Sequence, residues 1–433
     1  MKTLIIGSGV SGFAVYDYLT SKGFSAEIYK GLEKDVDDYL KFNLCNYNQI
    51  IVSPGVKLNK NTIFQIKKNK IAFYGELEFG VEKIKNDIIA ITGTNGKTTT
   101  VSLICFLLKN YLSGVMVAGN IGLPVTSLID KLSGEEILVL ECSSFQLETV
   151  ERFSPHIAVI LNISEDHLNR HKTMKEYIRC KYNITKKQSE NDYLILNADD
   201  SYLLNNPPKT KAKIFYVSTK RKVVGAYLKR NTAYFFDGVN EEKLVSLSKI
   251  KLKGEHNLSN ALVAILCVYL QTKERDFLGD IINFQGVEHR IEFVKRLCGV
   301  DFYNDSKATN ISSTLVACNS FKCDVNLILG GSDKGYDFDY LIKNLPKNVK
   351  NIAVFGETKM KIAFSIKKYN FKNYSIFDSL KQCVDYLFEN SAVGDVVLLS
   401  PACASFDQFE NFEHRGNVFK NIVKELSDKV LKV

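Results

Sequence analysis

An α/β chain of three domains is predicted, on three observations. Short β-branched apolar runs alternate with helical patterns along most of the 433 residues. Two of these runs break into glycine-rich turns that open helices, Gly7-Ser8-Gly9-Val10-Ser11-Gly12 and Gly93-Thr94-Asn95-Gly96-Lys97-Thr98-Thr99. The length, at roughly 150 residues per domain, gives about three domains. The pattern places them at 1–86, 87–286 and 287–433.

Composition bounds the function. Hydrophobic content of 45% and charged content of 24% are those of an ordinary soluble chain in which each domain buries a core. No apolar stretch is long enough to cross a bilayer, and the chain runs from Thr3 straight into a strand-like Leu4-Ile5-Ile6-Gly7. A cytoplasmic protein with no membrane partner is expected. The ten cysteines form no Cys-x-x-Cys pair; Cys105, Cys267 and Cys298 lie in apolar runs, as reduced core thiols do, so no zinc site is expected. Net charge is +9, but the lysines are scattered instead of forming one stripe, and no nucleic-acid module appears. Small polyanionic ligands suit that balance, and nucleic acid does not.

In chain order, Gly7 to Gly12 follow the first strand and match a diphosphate-binding turn. A nicotinamide dinucleotide calls for an acid at the tip of the second strand, about 20 residues on. That strand, 25–30, carries Glu27 internally and ends in Tyr29-Lys30, which favours a different diphosphate. The run 50–52 then enters Ser53-Pro54-Gly55, a sharp turn at a ligand edge.

The middle segment opens on a buried strand, 88–91, and the turn ending in Gly96-Lys97-Thr98. Backbone N–H groups, the helix N-terminus and a lysine there make an anion site, with Lys97 reaching the β/γ-phosphates and the Thr98 hydroxyl holding Mg²⁺. Ile91 stands where the general phosphate-loop pattern has its first glycine, so the loop is a shortened variant. After a strand at 115–118 and the loop Gly119-Asn120-Ile121-Gly122, the strand 137–141 ends in Glu141, placed to hold Mg²⁺ beside the phosphate loop. The strand 157–163 delivers Ser164-Glu165-Asp166-His167. His167 and His171 stand at i,i+4, but the glutamate of His-Glu-x-x-His is missing, which favours one histidine near Mg²⁺ over a two-histidine site. A helix over 174–186 carries Lys181 on a polar face, where the residue alone reads as solvated. Residues 214–250 read as a small antiparallel sheet, and Gly254-Glu255-His256-Asn257-Leu258-Ser259-Asn260 opens a helix to Leu270.

The last segment alternates strands (291–297, 300–303, 325–329, 351–355, 396–399) with helices. Three polar loops follow its strands: Asn304-Asp305-Ser306-Lys307-Ala308-Thr309-Asn310, Gly330-Gly331-Ser332-Asp333-Lys334-Gly335, and Ser400-Pro401-Ala402-Cys403-Ala404-Ser405-Phe406-Asp407. Three on one domain, rich in Lys, Asp and hydroxyls, indicate a site and weigh against a bare nucleotide switch. A dinucleotide oxidoreductase built on Gly7 to Gly12 stays open at this point.

Together these motifs resemble the Mur ligases, ATP-dependent amide-forming enzymes of bacterial cell-wall synthesis, over essentially the full length. The general marks are Gly93 to Thr99, Glu141, Glu165-Asp166-His167, the block ending at Asn260, and His289-Arg290. The D-glutamate-adding branch is marked by Asn304 to Asn310, by Ser400 to Ser405 continuing to Phe412-Glu413 and Arg415-Gly416, and by Glu141-Cys142-Ser143-Ser144-Phe145-Gln146-Leu147-Glu148. The resemblance implies a Rossmann-like N-terminal domain for UDP, a central P-loop ATPase-like parallel sheet with a small antiparallel sheet, and a Rossmann-like C-terminal domain for the amino acid.

It also implies a monomer whose partners are ATP, UDP-N-acetylmuramoyl-L-alanine and D-glutamate, joined through an acyl phosphate. Two Mg²⁺ are implied, one on Thr98 and Glu141 and one on His167 and a CO₂-derived carbamate of Lys181. Gly93, Thr94, Asn95, Gly96, Lys97, Thr98 and Thr99 would hold ATP phosphates, with Asn257, Asn260, Arg290 and Asp305 as further ATP contacts. Gly9, Val10, Ser53 and Gly55 would face UDP, and Asn120 and Gln146 the sugar-peptide. Thr309, Lys334, Ser405 and Phe412 would grip D-glutamate. Tyr29-Lys30 departs from the acid that relatives can place near uracil.

Overall fold

The computed structural model describes residues 2–252 and 254–430, and its described strands form three sheets. The first holds β1 (Lys2–Ile6), β2 (Ser25–Ile28), β3 (Gln49–Val52) and β4 (Ala72–Gly75), all parallel, in the order β2-β1-β3-β4. Leu4, Ile5, Ile50 and Ile51 are wholly buried between the flanking helices. The chain leaves β1 to one side for β2 and returns on the other for β3. The carboxyl ends of β1 and β3 therefore flank a crevice, the usual ligand position in such sheets. Gly12 permits the tight return there, since a Cβ on it would lie 1.9 Å from the Gly7 carbonyl oxygen. The second strand stops at Ile28, short of the expected Lys30, because the Tyr29 ring folds across Gly31 as the chain turns.

The second sheet has nine strands: β5 (Ile88–Thr92), β6 (Val115–Gly119), β7 (Ile137–Glu141), β8 (Ile157–Ile160), β9 (Tyr193–Asn197), β10 (Lys213–Ser218), β11 (Gly225–Lys229), β12 (Thr232–Phe236) and β13 (Glu241–Ser246). They lie in the order β13-β12-β11-β10-β9-β8-β5-β7-β6. Pairing is parallel from β6 across to β11, and antiparallel pairing begins only at β11-β12-β13, so the small antiparallel part continues the main sheet. β5 is sandwiched between β7 and β8, with Ile89, Ala90 and Ile91 wholly buried. Fully burying such side chains is worth roughly 1.5–3 kcal/mol apiece for the larger ones.

The third sheet comprises β14 (Glu292–Leu297), β15 (Val300–Asn304), β16 (Val325–Gly330), β17 (Val349–Phe355), β18 (Tyr374–Ile376) and β19 (Val396–Leu399) in the order β14-β15-β19-β16-β17-β18. All but the β14–β15 hairpin pair in parallel. β15, β19 and β16 are neighbours, so the three polar loops leave one edge of the sheet. The hairpin turn corrects one cysteine: Cys298 is exposed there in the left-handed region (φ 47) instead of lying in the core. Cys105 and Cys267 are buried, as expected.

The chain divides into two compact units, residues 1–249 with 259–282, and residues 250–258 with 283–433. The first unit holds the four- and nine-stranded sheets and the second the six-stranded sheet. Among the described residues no helix is long and apolar enough to cross a membrane.

Candidate nucleotide and substrate site

β5 ends at Thr92, and the loop that follows reaches Gly96, which caps the helix Lys97–Lys109 in the left-handed conformation (φ 87). A Cβ on Gly96 would stand 2.6 Å from Asn260 Oδ1, so the Asn260 amide lies directly on the loop. Asn257 belongs to the other compact unit. The loop is braced from behind by Asn162, whose Oδ1 accepts from the Thr94 and Asn95 N–H groups (3.1 and 2.8 Å) and whose Nδ2 donates to the Asn95 carbonyl (3.0 Å). The sequence pattern extends that strand to residue 163. It ends at Ile160, which frees Asn162 to brace the loop. Thr94 Oγ1 donates to the Ser164 carbonyl (3.1 Å) and lies 3.0 Å from the Tyr177 hydroxyl, and Thr99 is buried in the first helical turn. Lys97 Nζ curls over the loop and donates to the carbonyls of Gly93 (3.1 Å) and Thr94 (2.9 Å).

Thr98, next to Lys97 in the chain, carries the chemistry further. Thr98 Oγ1 donates to Glu141 Oε2 (2.8 Å), and Asn120 Nδ2 donates to Glu141 Oε1 (2.8 Å). Glu141 is buried at the carboxyl end of β7, beside β5. A carboxylate and a hydroxyl in contact at the mouth of a phosphate loop are the hard oxygen donors that Mg²⁺ takes.

Lys181 overturns the solvated-lysine expectation. It is 2% exposed, its Nζ donates to the Gly93 carbonyl (2.7 Å), and it lies 4.6 Å from the Tyr177 ring centre. The helix Met174–Tyr182 turns this face inward, and the last expected turn is a separate 3₁₀ segment, Asn183–Thr185. Burial, reinforced by the Lys97 charge, pushes the Lys181 amine well below the ordinary lysine range. A neutral amine is the form that reacts with CO₂, so the chemistry of this donor fits a carbamate.

His167 sits in the left-handed region (φ 53), half-exposed, with its ring against Phe145 (4.8 Å between centres) and Nε2 3.6 Å from Asp166 Oδ2. His171 does not share its setting. It is buried, with Nε2 2.9 Å from Ser144 Oγ, and burial pushes its pKa down to about 4 against the pull of Glu148.

A cleft of about 570 Å³ in the first unit brings together all six residues expected to face the UDP-sugar: Gly9, Val10, Ser53, Gly55, Asn120 and Gln146. Tyr29, Gly31 and Glu33 line it too. Gln146 is fixed by accepting from the Ser143 N–H and hydroxyl (3.0 and 2.9 Å). Asn120 belongs to both places, lining the cleft and holding Glu141.

In the second unit, Asp305 is wholly buried, accepting from Ser400 Oγ (2.8 Å) and lying 3.8 Å from Arg290 Nη1. Lys334 Nζ donates to the Thr309 carbonyl (3.3 Å). Ser405 is buried, and Phe412 opens the helix Phe412–Val430 with its carbonyl accepting from Ser306 Oγ (2.8 Å). Arg415 organises this edge. Fully buried, it donates to Ser306 Oγ, the Ser306 carbonyl and the carbonyls of Cys403 and Ala404 at 2.8–3.1 Å. It thereby ties the loop after β15 to the loop after β19. Arg415 stands in the sequence only as part of the Arg415-Gly416 mark, with no contact assigned to it.

Burial raises the Asp305 carboxyl to about 6, against the opposing pull of Arg290. A raised carboxyl stabilises the fold below its unfolded value and loses that contribution as pH rises through about 6. Relative to Asp305→Asn, the wild type is therefore expected to lose up to about 3 kcal/mol of stability between pH 4 and pH 7. Denaturant titrations of both proteins across that range check it; parallel pH profiles would contradict it.

Comparisons with known proteins agree with the geometry. Residues 91–268 match the Mur ligase middle domain, and residues 289–403 match the Mur ligase glutamate ligase domain. The chain is 40% identical to the UDP-N-acetylmuramoylalanine--D-glutamate ligase of Thermoanaerobacter sp. (strain X514), and 39% identical to that of Lachnospira eligens, each alignment covering 98% of both chains. Among solved structures it resembles the MurF ligase from Thermotoga maritima in complex with ADP (TM-score 0.61, 20% identity, 90% of this chain and 92% of that one). It also resembles E. coli FolC in complex with DHPP and ADP (TM-score 0.59, 16% identity, 81% of this chain and 93% of that one). At such identities the structures speak to the fold alone.

Proposed function

The chain belongs to the Mur ligase family, and from that premise we propose that it joins D-glutamate to UDP-N-acetylmuramoyl-L-alanine at the expense of ATP. The observation that carries this reading is the double engagement of Asn120. One end of the UDP-sugar cleft abuts Glu141 and Thr98, where the terminal phosphate of ATP would lie. A carboxylate at that end of the substrate is thus aimed at a phosphoryl group.

The reaction has two steps. An oxygen of the L-alanine carboxylate attacks the γ-phosphorus and ADP leaves, giving an acyl phosphate. The D-glutamate amine then attacks the acyl carbon; phosphate departs with the former carboxylate oxygen, and the amine gives up a proton. Lys97 supplies the charge that stabilises the phosphoryl group in transit, and the loop Gly93 to Thr99 orients it. Thr98 and Glu141 would hold one Mg²⁺, and His167 with a carbamate on Lys181 a second. When bound, these ions neutralise phosphate charge.

Asn257, Asn260, Arg290 and Asp305 are assigned to ATP, and Gly9, Val10, Ser53, Gly55, Asn120 and Gln146 to the UDP-sugar. Thr309, Lys334, Ser405 and Phe412 are assigned to D-glutamate, whose two carboxylates suit a lysine and hydroxyl donors. Domains 1–86, 87–286 and 287–433 divide the work between UDP, ATP and amino acid. The enzyme acts as a monomer in the cytoplasm.

Phosphate release with ATP, Mg²⁺, the UDP-sugar and each amino acid tests the acceptor. D-glutamate is expected to support the fastest turnover. Equal or faster turnover with L-glutamate or a diamino acid would overturn the assignment.

A further inference from the structure

Between the UDP-sugar cleft and His167 lies a side chain that the mechanism above does not use. Arg170 is in a four-residue helix, Leu168–His171, bounded by two non-glycine residues in the left-handed region, His167 (φ 53) and Lys172 (φ 66). A side chain with a Cβ adopts such a backbone at a cost and keeps it only where neighbours hold it. The Arg170 side chain is 12% exposed, and its guanidinium makes three sets of contacts. Nη2 and Nε donate to Glu148 Oε2 (2.7 and 3.3 Å). Nη1 donates to the Gly55 carbonyl (3.1 Å) and Nη2 to the Val56 carbonyl (3.0 Å). The guanidinium carbon lies 5.1 Å from the centre of the Phe145 ring, which packs on His167. The backbone joins in, because Lys57 Nζ donates to the Arg170 carbonyl.

Each contact leads to a working part. Ser53, Gly55 and Val56 line the cleft, as does Gln146, two residues before Glu148. Phe145 supports the ring of His167. The fork of one arginine therefore spans the turn after β3, the segment after β7 and the strained histidine turn. A planar, always charged fork can hold a carboxylate and two carbonyls at once; an ammonium cannot match that geometry.

We infer that Arg170 is a positioning residue that makes occupation of the UDP-sugar cleft and the placement of His167 depend on each other. A ligand that settles the Ser53–Val56 turn also settles the guanidinium, and through Phe145 the histidine. The inference rests on the assignment of the cleft to UDP-sugar and of His167 to a metal.

Arg170→Met and Arg170→Lys, with Glu148→Gln as a second route to the same strut, test it through two readouts. In steady state, Arg170→Met is expected to raise KM for the UDP-sugar and the Mg²⁺ concentration for half-maximal rate by about tenfold each, the scale of one charge-assisted hydrogen bond. KM for D-glutamate stays within about twofold. Arg170→Lys is expected to keep the wild-type melting temperature without restoring either constant. Calorimetric binding of UDP alone reads the cleft arm without any turnover, so it decides the strut even if the assigned reaction fails. UDP affinity should fall about tenfold in Arg170→Met and in Glu148→Gln, with no further fall in the double variant. Three results would overturn the inference: unchanged UDP affinity, additive losses in the double variant, or a uniform fall in kcat with every KM unchanged.

Discussion

Lys97→Ala is expected to lower turnover about 10²–10³-fold, the usual cost of losing one donor aimed at developing transition-state charge. In the free protein the ammonium is satisfied by the Gly93 and Thr94 carbonyls, so it is poised over the loop it serves. Those two carbonyls belong to a loop already braced by Asn162, and the Gly93 carbonyl keeps Lys181 as a donor, so losing the Lys97 bonds costs the fold only about 1–2 kcal/mol. Activity and stability should therefore separate: a large kinetic loss with a nearly unchanged melting transition. Lys97→Arg is expected to rescue little, because a guanidinium fork does not fit a pocket shaped for a point charge. Steady-state phosphate release alongside thermal melts checks both halves. Wild-type turnover in a folded Lys97→Ala protein would take the phosphate loop out of the mechanism.

Lys181→Ala or Lys181→Met is expected to lose activity on the same scale, about 10³-fold, for a different reason. This amine is buried under the loop, held by the Gly93 carbonyl and pushed toward its neutral form by burial and by Lys97. A lysine whose folded value is lowered adds stability above its unfolded value and loses it as pH falls through the folded one. The wild type should therefore gain stability relative to Lys181→Met as pH rises from 7 toward 10.5, the unperturbed lysine value. ¹³C-bicarbonate should give a carbamate carbon resonance in the wild type that is absent from Lys181→Met. Full activity in the variant, or a carbamate signal that survives it, would return Lys181 to a structural role.

The contrast between Lys97 and Lys181 shows what the sequence could disclose. Lys97 follows a β-branched strand and a glycine turn, a local pattern with a local physical reason, and its place at the loop was legible. The six cleft residues were legible as a group through the resemblance, because two strand-end turns and two loops meet where the strand order reverses. Lys181 was placed at the site by the resemblance alone: its burial comes from packing the 174–182 helix under a loop 88 residues earlier, and a lysine among polar neighbours reads as solvated. Arg170 and Asn162 escaped for the same cause, and so did the role of Arg415: each acts on backbone carbonyls or amides of distant loops, and those partners leave no mark in residue identity. β18 went unseen because three residues at a sheet edge carry no periodicity. The short turn at Cys298 was mistaken for core because the residues that flank it, Leu297 and Val300, are buried apolar strand ends.

The mechanism makes the phosphate carry away an oxygen of the substrate it activates. UDP-N-acetylmuramoyl-L-alanine labelled with ¹⁸O in both carboxylate oxygens, turned over with ATP, Mg²⁺ and D-glutamate, puts that statement to mass spectrometry. One label is expected in each inorganic phosphate released and the other in the new amide. Phosphate that carries oxygen from water alone would contradict carboxylate activation.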